Sequence, residues 1–267
     1  GGRGFDRQRR HIGQVISLPN GYHLHHLPQV DSTNEEARRM ALENSLIPTW
    51  IIADVQTAGR GRRGRAWDSP SGNLMTTLYL PHAPEPKQAG QLAFVAGLAL
   101  ETTVRHFIGE GASVSLKWPN DVLIDGKKAS GILLESTQQD PQRRWLAIGL
   151  GLNLATHPQD TPYPATNISA ITGKSVSNLQ ALEVLAAAFE GLYQQWKMGG
   201  FAPVLQAWRA VAHGIGGPLV ARLENQTIEG IFLDIDETGA LQLQDPAGGM
   251  HVIDAGDVFF PENGQNG

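Results

Sequence analysis

The sequence contains no cysteine, which excludes disulfides, thiolate nucleophiles and thiolate metal sites and fits a reducing, cytoplasmic setting. It also lacks excess positive charge: 21 Lys and Arg stand against 26 Asp and Glu, a formal net charge of -5. Such a chain has no general attraction to DNA or to a membrane surface, so any anion site must be local. No apolar run reads as long enough to span a membrane. The opening GGRGFDRQRR is basic, with no apolar segment behind it, so a mobile tail is expected there and not a signal peptide. No Ser/His/Asp order and no paired carboxylates stand out. His11, His23, His25 and His26 have no acidic or thiol partners at metal-binding spacing and read as ordinary surface or core residues. Internal repeats and a helix-turn-helix pattern are absent.

What is present is an ordered series of elements in a chain of 267 residues, long enough for a large core. Ser32 and Glu35 form an S-x-x-E capping-box signature, predicting a helix from about Thr33 to Asn44. Strands are expected at Trp50–Gln56 and Leu74–Leu80, and a helix at Gln88–Phe107. Val114–Trp118 reads as a strand stopped by Pro119-Asn120-Asp121; Asp125-Gly126 is a turn between two further strands, and Arg144–Leu154 is another. Thr156–Pro164 is a Pro-rich loop, and Leu179–Trp196 and Phe201–Ala212 are helical. Beyond Gly216 short strands alternate with turns. The fold class is therefore α+β: a mixed β-sheet core with helices packed on it, then a small SH3-like β-barrel. The expected division is a tail over 1–20, a core domain over 21–213, a β domain over 214–262 and a tail over 263–267.

Residues 57–67, TAGRGRRGRAW, include Gly59-Arg60-Gly61-Arg62-Arg63-Gly64, which satisfies G-x-G-x-x-G. A dinucleotide fingerprint needs a helix immediately after it, and Trp67-Asp68-Ser69-Pro70 is a string of turn residues, so that reading fails. Thr172-Gly173-Lys174-Ser175 also fails as a phosphate loop, because Ile168 stands where that motif requires glycine. The arginine stretch is too short and too ordered in its flanks for a disordered RNA-binding segment, and its alternation exceeds what a solvated loop requires. The remaining reading is a lid over a small polyanion: glycines admit backbone N–H groups close to oxygens, arginines supply permanent fork-shaped charge, and Trp67 offers a stacking face.

Lys117-Trp118-Pro119-Asn120-Asp121 ends a strand with a cation, an amide and a carboxylate within five residues. A strand-to-turn connection explains Pro-Asn-Asp but not Lys-Trp. In Lys127-Lys128-Ala129-Ser130-Gly131, alternation sends the two lysines to opposite faces. Gly131, Gly149 and Gly151 weaken their strands unless something approaches the backbone, either a planar ligand or a helix.

Taken together, DSTN (31–34), QTAGRGRRGRAW (56–67), KWPNDV (117–122), KKASGILLE (127–135) and GLGLN (149–153) resemble the biotin protein ligases. The resemblance runs from about residue 22 to 262, with a short N-terminal stretch as in the non-repressor type. It implies ATP and Mg²⁺, activation of biotin to biotinyl-5′-AMP, and transfer to one lysine of a biotin carboxyl carrier protein. By the same likeness, Ser32, Thr33 and Asn34 approach the biotin rings with Gln56; Gly59, Arg60, Gly61, Arg63 and Gly131 complete the biotin side. Arg62 matches the arginine that retains the adenylate. Arg65, Trp67, Lys117, Asn120 and Asn153 match the nucleotide side. Counting back from Gly131 makes Lys128, not Lys127, the lysine that reaches the biotin carboxylate and α-phosphate. Asp121 falls in the phosphate and metal neighbourhood, as a metal ligand or as a base.

The chemistry suits these residue types. A carboxylic acid with a pKa near ~4–5 is ionised at neutral pH and needs no base to attack phosphorus. The obstacle is two anions forced together, so cations are the catalytic resource. A reactive anhydride also needs a lid, and residues 59–66 are expected to order only with ligand. A lipoate-type ligase and a non-catalytic biotin or nucleotide binder are the alternatives. Monomer and homodimer both remain open.

Overall fold

The computed structural model describes residues 16–260 except 141, 142, 160 and 162. The expected tails at 1–15 and 263–267 lie outside the described residues. Residues 16–20, expected to belong to the first tail, instead pack: Ile16 and Leu18 lie against the core, and the Ser17 amide donates to Glu183.

The first sheet has seven strands: β1 (His23–Leu27), β2 (Thr49–Ala53), β3 (Leu74–Leu80), β4 (Val114–Lys117), β5 (Asp121–Ile124), β6 (Lys127–Asp140) and β7 (Arg143–Leu152). Their spatial order is β1-β2-β3-β7-β6-β5-β4; only β1–β2 is parallel, so the sheet is mixed. β1 was not foreseen, its histidine-rich sequence giving little strand signal. Among the described residues five α-helices accompany the sheets: α1 (Thr33–Leu42), α2 (Pro86–Ile108), α3 (Ile168–Thr172), α4 (Asn178–Gly199) and α5 (Phe201–Ala210).

Alternation along the strands divides the core in two. Trp50, Ile52, Leu78 and Ile148 face the large cluster formed with α2 and α4, whereas Ile51, Tyr79 and Ala147 face Ala37 and Ala41 of α1. Burial on both faces explains why β2 and β3 read as continuous apolar runs. By length and composition the segment Pro86–Gly111 would suffice to cross a membrane, contrary to the expectation of no such run. Here its apolar surface is mostly buried, in the core shared with the sheet and α4.

A capping box forms on α4, where none was read from the sequence, and not on α1, where one was expected. Ser177 and Gln180 form a full capping box on α4. The expected box at Ser32 and Glu35 does not form: Ser32 makes no side-chain cap, and Glu35 is taken by Arg38 and Arg60. Thr172-Gly173 ends α3, with Gly173 left-handed as its cap.

A second, antiparallel sheet follows, formed by β8 (Pro218–Arg222), β9 (Thr227–Ile235), β10 (Leu241–Gln244), β11 (Met250–Ile253) and β12 (Asp257–Phe259). Its order is β11-β10-β9-β8-β12. It is fastened to the first sheet by the KWPND tryptophan. Trp118 is 1% exposed and donates from Nε1 to Gly239 O at 3.0 Å, which supplies the reason for Lys-Trp that a bare turn did not.

Candidate active site

On the face of the first sheet that α1 covers only in part, a cavity of about 930 Å³ opens, the size of a cleft that encloses a small organic ligand. Cross-strand register builds its floor. Asp121 of β5 is opposite Gly131 of β6, Gly131 is opposite Gly151 of β7, and Gly151 is opposite Met75 of β3. Two neighbouring glycines leave the floor without side chains, and the Trp67 indole fills that space. A Cβ at Gly151 would lie 2.5 Å from the ring, and one at Gly131 3.1 Å. Gly149 admits a helix start instead, since a Cβ there would meet Asn34 Oδ1 at 2.4 Å.

A register shift between Val122 and Leu123 leaves Ala129 as the extra residue on β6, a β-bulge. Ala129 therefore joins the hydrophobic core and Lys128 turns to the cavity. Its Nζ lies 2.7 Å from Asp121 Oδ1 and 5.6 Å from the Trp67 ring centroid. Lys127 is exposed, so the two lysines do part. Lys117 is almost wholly buried, 3.8 Å from Asp121 Oδ2 and 3.5 Å above the Tyr163 ring. Burial pushes its ammonium down to about 8, with Asp121 opposing the shift. One carboxylate thus stands between two ammonium groups.

At the other end the polar groups satisfy one another. Gln56 Oε1 accepts from the Thr33 amide at 2.8 Å and from its hydroxyl at 3.0 Å, while Gln56 Nε2 donates to Ser69 Oγ at 2.9 Å. Asn34 donates to Glu135 at 2.8 Å and lies 2.6 Å from Thr77 Oγ1. Ser32 is buried beside them. Thr33 and Gln56 thereby hold fixed orientations, with valences left for an amide-like ring edge.

The arginine loop opens from a close approach: a Cβ at Gly59 would be 2.5 Å from both Ser69 Oγ and Trp67 O. Arg62–Gly64 form a single 3-10 turn in which Arg63 is left-handed at φ 55°. Carboxylates hold the loop on both sides. Arg60 reaches Glu35 at 2.5 Å, and Arg63 and Arg65 reach Asp257 at 3.2 and 2.9 Å. Arg62 donates to Gly256 O at 3.2 Å and approaches Asn120 Oδ1 at 3.4 Å; burial lowers its pKa. The expectation of a segment without order in the absence of ligand meets a loop tied down by internal anions.

The residues that the resemblance assigns to biotin, nucleotide and catalysis line this one cavity. Some of them have structural duties. Asn153 is buried and donates its amide to Thr166 O at 3.1 Å, and Asn120 donates to Ile132 O at 2.7 Å. Sequence reasoning missed Tyr163, Asp257, Phe259 and Arg222. Tyr163 lies in the loop after Leu154, stacks on Phe259 at 5.2 Å and donates to Val258 O at 2.5 Å. Three of the four come from the second sheet, and no local motif marks them.

Among the described residues no group of three acidic, cysteine or histidine side chains could hold a metal. Asp121 by itself fits Mg²⁺ only as an ion brought in on phosphate oxygens, with one protein carboxylate completing its shell.

The chain is similar to known proteins over most of its length. Residues 27–153 match the Biotin/lipoate A/B protein ligase family, and residues 215–260 match the Biotin protein ligase C terminal domain. The chain is 42% identical to the biotin–[acetyl-CoA-carboxylase] ligase of Paracoccus denitrificans, over 88% of this chain and 99% of that one. It is 35% identical to the bifunctional ligase/repressor BirA of Bacillus subtilis, over 88% of this chain and 73% of that one. Among solved structures, the biotin protein ligase from Aquifex aeolicus in complex with biotin and ATP superposes with a TM-score of 0.77 at 28% identity, covering 90% and 99% of the two chains. By these matches over most of its length, this chain belongs to the biotin protein ligase family.

Proposed function

We propose that the chain is an ATP-dependent ligase that activates biotin as biotinyl-5′-AMP and transfers it to a lysine of a biotin carboxyl carrier protein. The single observation that carries the mechanism is the placement of Lys128 Nζ against Asp121 at 2.7 Å in the cavity that also holds Arg62 and the Thr33–Gln56 pair. Thr33 and Gln56 receive the ureido edge. The biotin carboxylate then meets Lys128, whose ammonium screens it from the α-phosphate while the C–O–P bond forms and pyrophosphate departs. Arg62 adds a second charge, and each well-placed donor to developing charge contributes roughly 3–4 kcal/mol. Mg²⁺ carried by the triphosphate would neutralise its oxygens, with Asp121 as its protein ligand. The adenine is placed beside Trp67 and Asn153. For transfer, the acceptor lysine must arrive neutral, and two neighbouring ammonium groups lower its pKa by like-charge repulsion.

We keep residues 21–213 as the catalytic unit and 214–262 as the β unit, and we place the reaction in the cytoplasm, where ATP is supplied. The test combines the purified chain, radiolabelled biotin, ATP and a carrier domain. Label on the carrier in the presence of ATP alone among nucleotides supports the reading. Biotin bound without transfer makes the chain a binder, and transfer of lipoate in preference to biotin makes it a lipoate ligase.

A further inference from the structure

Cations in this cavity nearly all have partners. Lys117 and Lys128 face Asp121, Arg60 faces Glu35, and Arg62 is hydrogen-bonded to Gly256 and Asn120. Arg222 differs. It lies at the end of β8, lines the same cavity, is exposed, and among the described residues has neither a hydrogen bond nor an ion pair. Its guanidinium rests on the Phe259 ring, 4.1 Å from the centroid.

Register places it against the arginine loop. Arg222 is directly opposite Asp257 in the β8–β12 ladder, so their side chains leave the sheet on one face. Asp257 is the carboxylate that Arg63 and Arg65 share. Two guanidinium groups from the loop therefore hold one acid, and a third, Arg222, stands across the ladder from it without pairing, a local excess of two positive charges in a protein of net charge -5. Arginine forks suit phosphate oxygens, and a surplus of this kind is an anion site.

The position within the cavity points to one part of the substrate. Lys128, whose Nζ is 3.6 Å from where a Gly131 Cβ would lie, and Arg62, half-buried beside Asn120 while Arg63 and Arg65 are exposed, serve the α-phosphate in the mechanism above. The cluster lies on the side of the second sheet, away from the Thr33–Gln56 pair. We propose that Arg222, with Arg63 and Arg65, binds the β- and γ-phosphates of ATP, the pyrophosphate that leaves, and that Asp257 is the internal counter-ion this polyphosphate displaces. The second sheet then supplies a wall of the nucleotide site. This assignment rests on the proposed adenylation for its role, but polyphosphate binding tests it directly.

The experiment titrates inorganic pyrophosphate calorimetrically into the full chain and into Arg222→Met, Arg222→Lys and Asp257→Asn, and measures the ATP dependence of biotinyl-5′-AMP formation. Loss of one charge-assisted contact predicts about a tenfold rise in both pyrophosphate Kd and ATP KM for Arg222→Met. Arg222→Lys recovers much of this, and Asp257→Asn tightens pyrophosphate. Transfer from preformed adenylate, which carries no pyrophosphate, stays within about twofold in Arg222→Met and separates subsite loss from misfolding. Unchanged pyrophosphate affinity in Arg222→Met, or weaker binding in Asp257→Asn, overturns the inference. Pyrophosphate binding that follows the prediction in a chain making no adenylate upholds the subsite and sinks the proposed reaction instead.

Discussion

The indole of Trp67 lies against the backbone of Gly151, so close that a methyl group on that glycine would sit 2.5 Å from Cε2. A loop side chain therefore occupies a gap made by missing side chains two strands wide. Gly151→Ala must displace the ring, because a contact that short is not relieved by small shifts. Trp67 is on a partly exposed loop, so the strain moves the loop before it unfolds the sheet. The expected result is ATP affinity reduced by roughly tenfold, consistent with 1–3 kcal/mol of overpacking, with a changed Trp emission and a nearly constant Tm. Fluorescence and calorimetry on the same sample check it; wild-type nucleotide affinity would refute the stacking role.

Arg62 is the loop arginine drawn furthest in, half-buried between Gly256 O and Asn120. Arg62→Gly removes both contacts and frees the backbone at the 3-10 turn. Adenylate should then dissociate before transfer, labelling bystander lysines. Measuring biotin on an added non-carrier protein tests this. Labelling confined to the carrier, together with adenylate retention equal to that of the unaltered chain, would contradict it.

How much of this was legible beforehand depends on the range of the cause. The Gly/Arg loop, KWPND and the strand glycines are local patterns, and all of them line one cavity. Strict alternation back from Gly131 would send Lys127 inward; the bulge at Ala129 sends Lys128 instead, and bulges are set by pairing, not by composition. The Glu35 half of the expected box is lost because Arg38 and Arg60, the latter twenty-five residues away, claim its carboxylate. Asp257 and Arg222 carry no motif at all. They matter because the second sheet folds back over the loop, a tertiary fact with no local signature.

Lys117 gives a pH signature. Its folded pKa is lowered from 10.5 to about 8 by burial. Between these values the unfolded chain binds more protons than the folded one, so stability rises with pH across the window. The gain attributable to this residue is about 3 kcal/mol at most, from the shift of 2.5 units at 1.36 kcal/mol each. Tyr22 and Tyr163, both raised above 10 by burial, lose their advantage at higher pH, so the clean interval is below 10. Urea unfolding from pH 7.5 to 9.5 should show the rise in the wild type and lose it in Lys117→Met. Parallel pH profiles for the two proteins would remove the assigned cause.

Asp121 touches both cavity lysines, at 2.7 Å to Lys128 and 3.8 Å to Lys117, and the geometry separates two roles for it. An acid serving as proton acceptor in transfer needs an oxygen open to the incoming amine. Here Oδ1 is buried and faces Lys128, while Oδ2 faces Lys117. A carboxylate so engaged orients cations instead. Asp121→Asn keeps the shape and removes the charge, leaving two ammonium groups to repel each other and Lys128 without its anchor. Adenylation should fall by about a hundredfold, the scale of losing one well-placed electrostatic contact. Transfer from preformed adenylate should keep the shape of its pH profile, because the neighbouring cations lower the acceptor lysine's pKa so that it gives its proton to water and not to this acid. A profile that loses its lower limb in Asp121→Asn would restore the carboxylate as the base.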